Sequence, residues 1–207
     1  PIEPIIDPLE ALKGDAAPIH LALGSNIAMR FENGGGDWEK AVEQSDRVVR
    51  QRYEVQRLAP VPMETRGIVA DYRPKEDLLM VWSSTQDAHG VKDVLAQLLG
   101  KGESGIRVMV PDVGGGFGEK HTIFPEDILI PYLSERLNKP VKWAADRQEN
   151  MLTFHGRGYT IDLEVAVNKN GLFLGVRSRI VADLGAYFFR ITAGIPMHVG
   201  HRITGPY

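Results

Sequence analysis

The stretch Val110–Lys120 reads VPDVGGGFGEK. Its triple glycine comes shortly after a predicted strand, residues 106–110. Consecutive glycines raise the entropy of the unfolded chain, so they are expected where the backbone turns sharply or approaches a ligand closely. The bare N–H groups of such a loop can donate hydrogen bonds to anionic oxygen. The local sequence leaves two interpretations open, a tight turn or bulge without a ligand and a cradle for an anion.

Two common nucleotide-binding motifs do not fit this loop. The dinucleotide fingerprint needs a third glycine where Glu119 stands, and no acidic residue ends a second parallel strand at the required distance. The Walker motif needs Gly-Lys followed by Ser or Thr, whereas this chain has Gly118-Glu119-Lys120-His121. The sequence therefore disfavours nucleotide binding.

A second strand end precedes the glycine loop in the chain. Residues 67–82 alternate as a β-hairpin whose turn-rich link is 74–77. The second strand runs into residues 83–87, and a helical stripe that Gly100 ends follows them. Gln86 is therefore predicted at the point where a strand gives way to a helix.

The remaining sequence alternates between strand and helix patterns. Asp37 can cap a short helix, and the period-two pattern from Val49 to Val55 predicts a half-buried strand. Residues 159–181 predict a hairpin with its turn at 168–171. A helix that begins near Pro125 is predicted to turn these side chains inward: Ile128, Leu129, Tyr132, Leu133 and Leu137. The predicted fold class is α+β, with mixed sheets and packed helices.

The composition limits the chemistry of the chain. Its 24 basic and 27 acidic residues give a net charge of -3 and are spread along the chain, so no basic face for nucleic acid is expected. Cysteine is absent, which excludes disulfides, thiolate nucleophiles and cysteine-ligated iron–sulfur clusters from this chain. The sequence has no membrane-spanning apolar run and no signal peptide pattern, so a cytoplasmic location is expected.

Both ends of the sequence have the character of connecting segments. The first eight residues are interrupted by prolines, and the last seven stop at a Gly-Pro turn signal. We expect both ends to have been cut from a longer polypeptide. The alternative is a complete small protein with loose termini.

The loop also resembles the Gly-Gly-Gly-Phe-Gly-x-Lys signature of one enzyme family, which comprises xanthine dehydrogenase, aldehyde oxidase and aerobic carbon monoxide dehydrogenase. Further stretches resemble the family in the same order along the chain. They are 57–67, 82–89, 140–150 and 182–187. The resemblance covers nearly the whole sequence and identifies an internal part of the family's large, molybdopterin-binding subunit.

This resemblance implies a cofactor and site residues. The large subunit of the family holds a molybdenum–pyranopterin cofactor, either plain or as the cytosine dinucleotide. Gln86 corresponds to a glutamine whose neutral amide lies beside an oxygen ligand of the metal. The backbone that approaches the cofactor corresponds to Gly115, Gly116, Phe117 and Gly118. No residue is predicted to bind the metal directly.

Arg157 has two interpretations. By resemblance it corresponds to a substrate-pocket arginine of purine-oxidising members. A surface arginine or one that packs on a sheet fits its sequence context as well.

The resemblance also implies a domain order and partners. Residues 1–36 correspond to a connector, 37–150 to a first molybdopterin-binding subdomain, and 151–207 to the start of a second, incomplete one. The expected partners are the rest of the large subunit, iron–sulfur and flavin subunits, and a small-molecule substrate. The family's general-base glutamate and its substrate-discriminating loop lie beyond Tyr207. The isolated chain is therefore expected to be inactive and without cofactor.

The function implied is oxidation or hydroxylation of a small carbon substrate. The sequences of residues 60–64 and 111–113 resemble the carbon monoxide dehydrogenase branch more than the purine-oxidising one. Aldehydes and aromatic heterocycles are further candidate substrates. The alternative is a non-catalytic molybdopterin-binding or assembly module from a split or truncated gene.

Two positions depart from the family pattern, and a third is expected to have no role in the site. His121 stands where purine-oxidising members have a glutamate, which disfavours xanthine as substrate. Glu119 replaces a glycine common in the signature, and neither residue is expected to act as a catalyst. Glu64 could point toward the pocket, but an exposed carboxylate in a loop is the expected state.

Overall fold

The computed structural model describes residues 3–185, 187 and 194–203. Parts of three sequence-based predictions lie outside these residues. They are the first two residues of the connector, residue 186 of the family match and the Gly-Pro turn at 205–206.

The chain forms two compact units, each with its own sheet. One unit is continuous and spans Leu58–Gly156, whereas the other combines Pro1–Arg57 with Arg157–Tyr207. The three segments proposed from the family resemblance stay a prediction. In chain order the helices and strands are α1 (Pro8–Ala11), α2 (Trp38–Glu43), β1 (Arg47–Val55), β2 (Gly67–Arg73), β3 (Leu78–Ser83), α3 (Ala88–Leu99), β4 (Ile106–Met109), α4 (Pro125–Leu137), β5 (Val141–Ala144), α5 (Arg147–Thr153), β6 (Gly158–Val167), β7 (Phe173–Asp183) and α6 (Gly194–Arg202).

The sheet of the continuous unit has the strand order β4-β3-β2-β5. Strands β3 and β4 pair in parallel, and the other neighbours are antiparallel. Helix α3 connects β3 to β4, so these three elements form a βαβ unit. Because the two parallel strands are neighbours, the loops that follow them leave from the same edge of the sheet.

The core of this unit lies between the sheet and the helices α3 and α4. Its buried side chains are Ile68, Ala70, Leu79, Val81, Val91, Leu95, Ile106 and Ile130. Asp87 caps α3 by accepting a hydrogen bond from the N–H of Gly90 at 2.8 Å, and Gly100 ends it with φ +65°. The hairpin, the helix and its glycine stop are confirmed. Among the described residues, no helix has both the length and the apolarity to cross a membrane.

The predicted inward face of α4 is confirmed for Ile128, which packs against the core, and is wrong for three other residues. Leu129, Tyr132 and Leu137 are exposed, while the buried residues of the helix are Ile130, Pro131 and Ser134. The Ser134 hydroxyl accepts a hydrogen bond from the N–H of Tyr72 in β2 at 2.9 Å and donates to the carbonyl of Lys139 at 2.8 Å. A small polar contact with the sheet therefore fixes the rotation of this helix, which the apolar periodicity could not reveal.

The sheet of the other unit is antiparallel, with the order β1-β6-β7. Asp37 caps α2 as predicted, accepting from the N–H of Lys40 at 3.0 Å. The β6–β7 hairpin is also confirmed, and its turn combines Gly171 at φ +81° with Asn168, whose side chain accepts from two backbone N–H groups.

Strand β1 forms as predicted, but the expectation that it is half-buried is wrong. Val49, Tyr53 and Val55 on its apolar side are 44%, 51% and 49% exposed. Alternation identifies the apolar side of a strand, but only the packing of a second layer decides whether that side is covered.

Candidate functional site

Gln86 lies between β3 and α3, at the carboxyl end of a strand. Its backbone N–H donates to the carbonyl of Lys120 at 2.8 Å, and its Oε1 accepts a hydrogen bond from the N–H of Gly118 at 3.1 Å. The structure thus brings together two segments that are 32 residues apart in sequence. Their meeting follows from the parallel pairing of β3 with β4.

The glycine loop, residues 114–118, has an unusual backbone conformation. Gly115, Phe117 and Gly118 have φ values of +93°, +50° and +90°. Positive φ is accessible to glycine but strained for phenylalanine, so the surrounding structure must hold Phe117 in place. The Phe117 ring is 75% exposed and lies against Gly115. The family signature therefore contains one residue whose backbone needs support from its neighbours.

Two positions of this loop have no room for a side chain. A Cβ atom on Gly116 would lie 2.7 Å from Cδ and 3.0 Å from Cγ of Gln86, and one on Gly114 would lie 2.6 Å from Cβ of Glu64. The Gly116 carbonyl accepts from the N–H of Glu119 at 2.9 Å, which closes the loop. A side chain at position 116 would therefore have to displace the amide of Gln86.

The Glu64 side chain is 38% exposed, but it is not the free loop carboxylate that we expected from the sequence. Its Oε2 accepts hydrogen bonds from Lys120 Nζ at 2.6 Å, Ser84 Oγ at 2.7 Å and the N–H of Gly114 at 2.9 Å. Burial raises the pKa of this carboxyl, but the three donors outweigh burial and hold the pKa below its ordinary value. Sequence reasoning missed this role, because Glu64 and Lys120 are 56 residues apart in the chain.

Arg157 is the first residue of the second segment of the other unit. Its side chain is half-buried, and its Nε has no hydrogen-bond partner among the described residues. Burial lowers the pKa of this guanidinium, and Tyr159 partly offsets the effect. The predicted role of Arg157 in a substrate pocket stays a prediction.

A family profile settles the family of the chain. The profile described as the molybdopterin cofactor-binding domain matches residues 19–207, which is most of the sequence. The chain belongs to this family. Its predicted relationship to the molybdenum hydroxylases is therefore confirmed, and so is its α+β class, since solved members share its fold.

Known relatives of this chain come from several bacteria. The large subunit of nicotine 6-hydroxylase from Paenarthrobacter nicotinovorans is 40% identical over 90% of the chain. The large chain of carbon monoxide dehydrogenase from Hydrogenophaga pseudoflava is 35% identical over 88% of it. The crystal structure of quinoline 2-oxidoreductase from Pseudomonas putida 86 superposes with a TM-score of 0.76 at 36% identity, covering 88% of this chain and 23% of that one.

The chain is much shorter than these relatives. It spans 23% and 24% of the length of the two curated relatives. What the whole proteins do therefore depends in part on segments that have no counterpart in this chain.

Proposed function

We propose that the chain supplies part of the molybdopterin site of a longer oxidoreductase subunit through Gln86 and the glycine loop. The observation that carries this proposal is the hydrogen bond from the N–H of Gly118 to Oε1 of Gln86. It joins a neutral side-chain amide and a row of glycine backbone groups at the end of two parallel strands, the edge where α/β sheets commonly bind ligands.

The residues present fit a bound molybdopterin group. Gln86 is exposed, and because its Oε1 is engaged by Gly118, its Nε2 hydrogens are the donors that it can offer to a ligand oxygen. Gly115, Gly116 and Phe117 would add backbone donors, with no side chain at Gly116 to block the approach, and Gly118 would line the site while its N–H holds Gln86. A neutral donor set of this kind can orient an anionic group without competing as a metal ligand.

The chemistry of the proposed enzyme divides between the cofactor and the protein. When bound, the molybdenum–pterin group supplies two-electron oxidation at a carbon centre. This chain would bind and orient the group, in its plain or cytosine-dinucleotide form. Arg157 would contribute to the substrate pocket, and iron–sulfur and flavin subunits would remove the electrons.

For the substrate, we propose a small carbon compound, with a nitrogen heteroaromatic ring as the first class to test. The support is that the sequence is 40% identical to a nicotine hydroxylase subunit and 35% to a carbon monoxide dehydrogenase chain, while structural superposition gives 36% to a quinoline oxidoreductase and 29% to a carbon monoxide dehydrogenase. The carbon monoxide or aldehyde type that the sequence favoured is the second class.

We further propose that the isolated 207-residue chain has no turnover and retains no cofactor, because it spans about a quarter of its relatives. Substrate-dependent dye reduction by the purified chain would contradict this. Reading the encoding DNA on both sides tests the alternative of a stand-alone binding or assembly module. A continuous frame supports the enzyme, whereas a stop codon just after Tyr207 supports the module.

The cofactor role of the loop is tested in the complete polypeptide that the gene encodes. In Gly116→Ala, the new methyl group would displace Gln86, so we expect at least tenfold less bound molybdenum and pterin per polypeptide. Gly35→Ala is the matched control, because an added Cβ there meets nothing within 4 Å. Full molybdenum and pterin content in a folded Gly116→Ala variant would refute the proposed site.

A further inference from the structure

Four charged side chains extend from two segments next to the glycine loop. The acid of each segment pairs with the base of the other segment. One segment carries Glu64 and Arg66, and the other carries Glu119 and Lys120. Glu64 pairs with Lys120, and Arg66 pairs with Glu119. We call these two ion pairs the crossed pairs. Each segment thus contributes one acid and one base, and the four formal charges cancel.

Lys120 is the residue of the crossed pairs that bonds directly to the backbone of Gln86. Its side chain is fully buried, and its Nζ donates to Glu64 Oε2 at 2.6 Å. Its carbonyl accepts from the N–H of Gln86 at 2.8 Å and from the Thr85 hydroxyl at 3.0 Å. Because Glu64 also holds the N–H of Gly114, Lys120 connects both ends of the glycine loop to Gln86.

The second pair anchors the neighbouring residue. Glu119 has 0% exposure, and its Oε1 accepts from Asn150 Nδ2 at 2.6 Å and lies 3.6 Å from Arg66 Nε. Asn150 in turn accepts from the N–H of Arg66 at 3.2 Å. The Arg66 guanidinium lies 3.8 Å from the centroid of the Phe124 ring, which fixes its plane. Glu119 is therefore tied to both α5 and the segment that precedes β2.

We infer that the crossed pairs are positioning residues, which hold the glycine loop and Gln86 in one relative geometry. The loop cannot hold itself, because most of it is glycine and Phe117 occupies a strained φ. Side chains that flank the loop must supply the rigidity. The inference rests on the proposed function only for the identity of what the loop binds.

The test compares Lys120→Met with Lys101→Met in the 207-residue chain. Lys101 is a matched control in the same unit, 12% exposed and 2.7 Å from Asp77 and 3.1 Å from Glu135. Amide hydrogen exchange measured by NMR reports each position separately. In Lys120→Met we expect exchange at Gly114 and Gly118 to rise at least tenfold more than exchange in β2 and β3. We also expect a shift of the Gly118 amide resonance, because its acceptor on Gln86 moves.

In Lys101→Met, exchange at Gly114 and Gly118 should rise no more than it does in β2 and β3. If Lys120→Met does not fold, Glu64→Gln keeps the size of the side chain and weakens the same pair, with the same local pattern expected at Gly114. Equal effects of the Lys120 and Lys101 variants on the loop amides would overturn the inference. No cofactor takes part in this readout, so its failure is separate from a loss of molybdenum in Gly116→Ala.

Discussion

Both units contain ion pairs, but those in one unit are exposed to water and those beside the glycine loop are buried. On the antiparallel sheet of β1, β6 and β7, Glu164 lies 2.6 Å from both Arg50 and Arg177, whose side chains are 64% and 52% exposed. Beside the glycine loop, the side chains of Lys120 and Glu119 have no exposure at all. Water weakens the exposed pairs, whereas a buried charge that loses its partner is costly. Burial therefore turns an ordinary ion pair into a fixed constraint on backbone geometry.

The largest expected effect comes from breaking a buried pair. Arg66→Met would leave the Glu119 carboxylate without its closest cation and would remove contacts to Glu126 and Thr153. We expect a loss of about 3–5 kcal/mol in the free energy of unfolding, measured with urea. Arg52→Met is the control, because it breaks an exposed pair in which Arg52 and Asp162 are 2.6 Å apart. It should change the free energy of unfolding far less. Equal losses in the two variants would erase the contrast between the units.

A smaller effect is expected from the titration of Glu119. Burial raises the pKa of this carboxyl, although Asn150, Arg66 and Lys120 partly offset burial, so the folded state binds the proton more tightly than the unfolded state does. The stability contributed by Glu119 is therefore present below its ordinary pKa of 4.5 and is lost as pH rises through the folded-state pKa.

Glu119→Gln removes this titration, so it isolates the contribution of the buried carboxyl to the pH dependence of stability. Its unfolding free energy, subtracted from that of the unmodified chain at each pH, should give a difference that falls with rising pH above 4.5. Glu64 should behave in the opposite way, losing its contribution as pH falls below 4.5, because its pKa is lowered. If the difference for Glu119→Gln stays flat or rises with pH, burial does not raise the pKa of Glu119 in the folded state.

The smallest effect is expected on the exposed sheet. Glu164→Gln weakens the pairs with Arg50 and Arg177, and the expected loss is roughly 1 kcal/mol or less. High salt should shrink the difference further, because exposed charges are screened. Urea unfolding at low and high salt measures both quantities. A salt-independent loss as large as that in Arg66→Met would mean that this pair is not solvated.

The two glycine-containing loops show how far sequence patterns reach. Gly171 and Gly116 were both predicted in loops that follow strands, and both predictions are confirmed. An added Cβ on Gly171 would meet nothing within 4 Å, whereas one on Gly116 would collide with Gln86. The local sequence could not separate an open turn from a crowded one, because the colliding atoms belong to a residue 30 positions earlier in the chain.

The sequence by itself determined the α+β class, the strand and helix that flank Gln86, the hairpins and the family, because these depend on local periodicity, turn residues and an ordered set of motifs. Only the tertiary structure decided that β3 and β4 are parallel neighbours, and this pairing is what brings Gln86 to Gly118. It also decided the buried face of α4, the exposure of β1 and the partners of Glu64 and Glu119. These features depend on which surfaces meet across long sequence separations, and a residue's own neighbours in the chain carry no record of that.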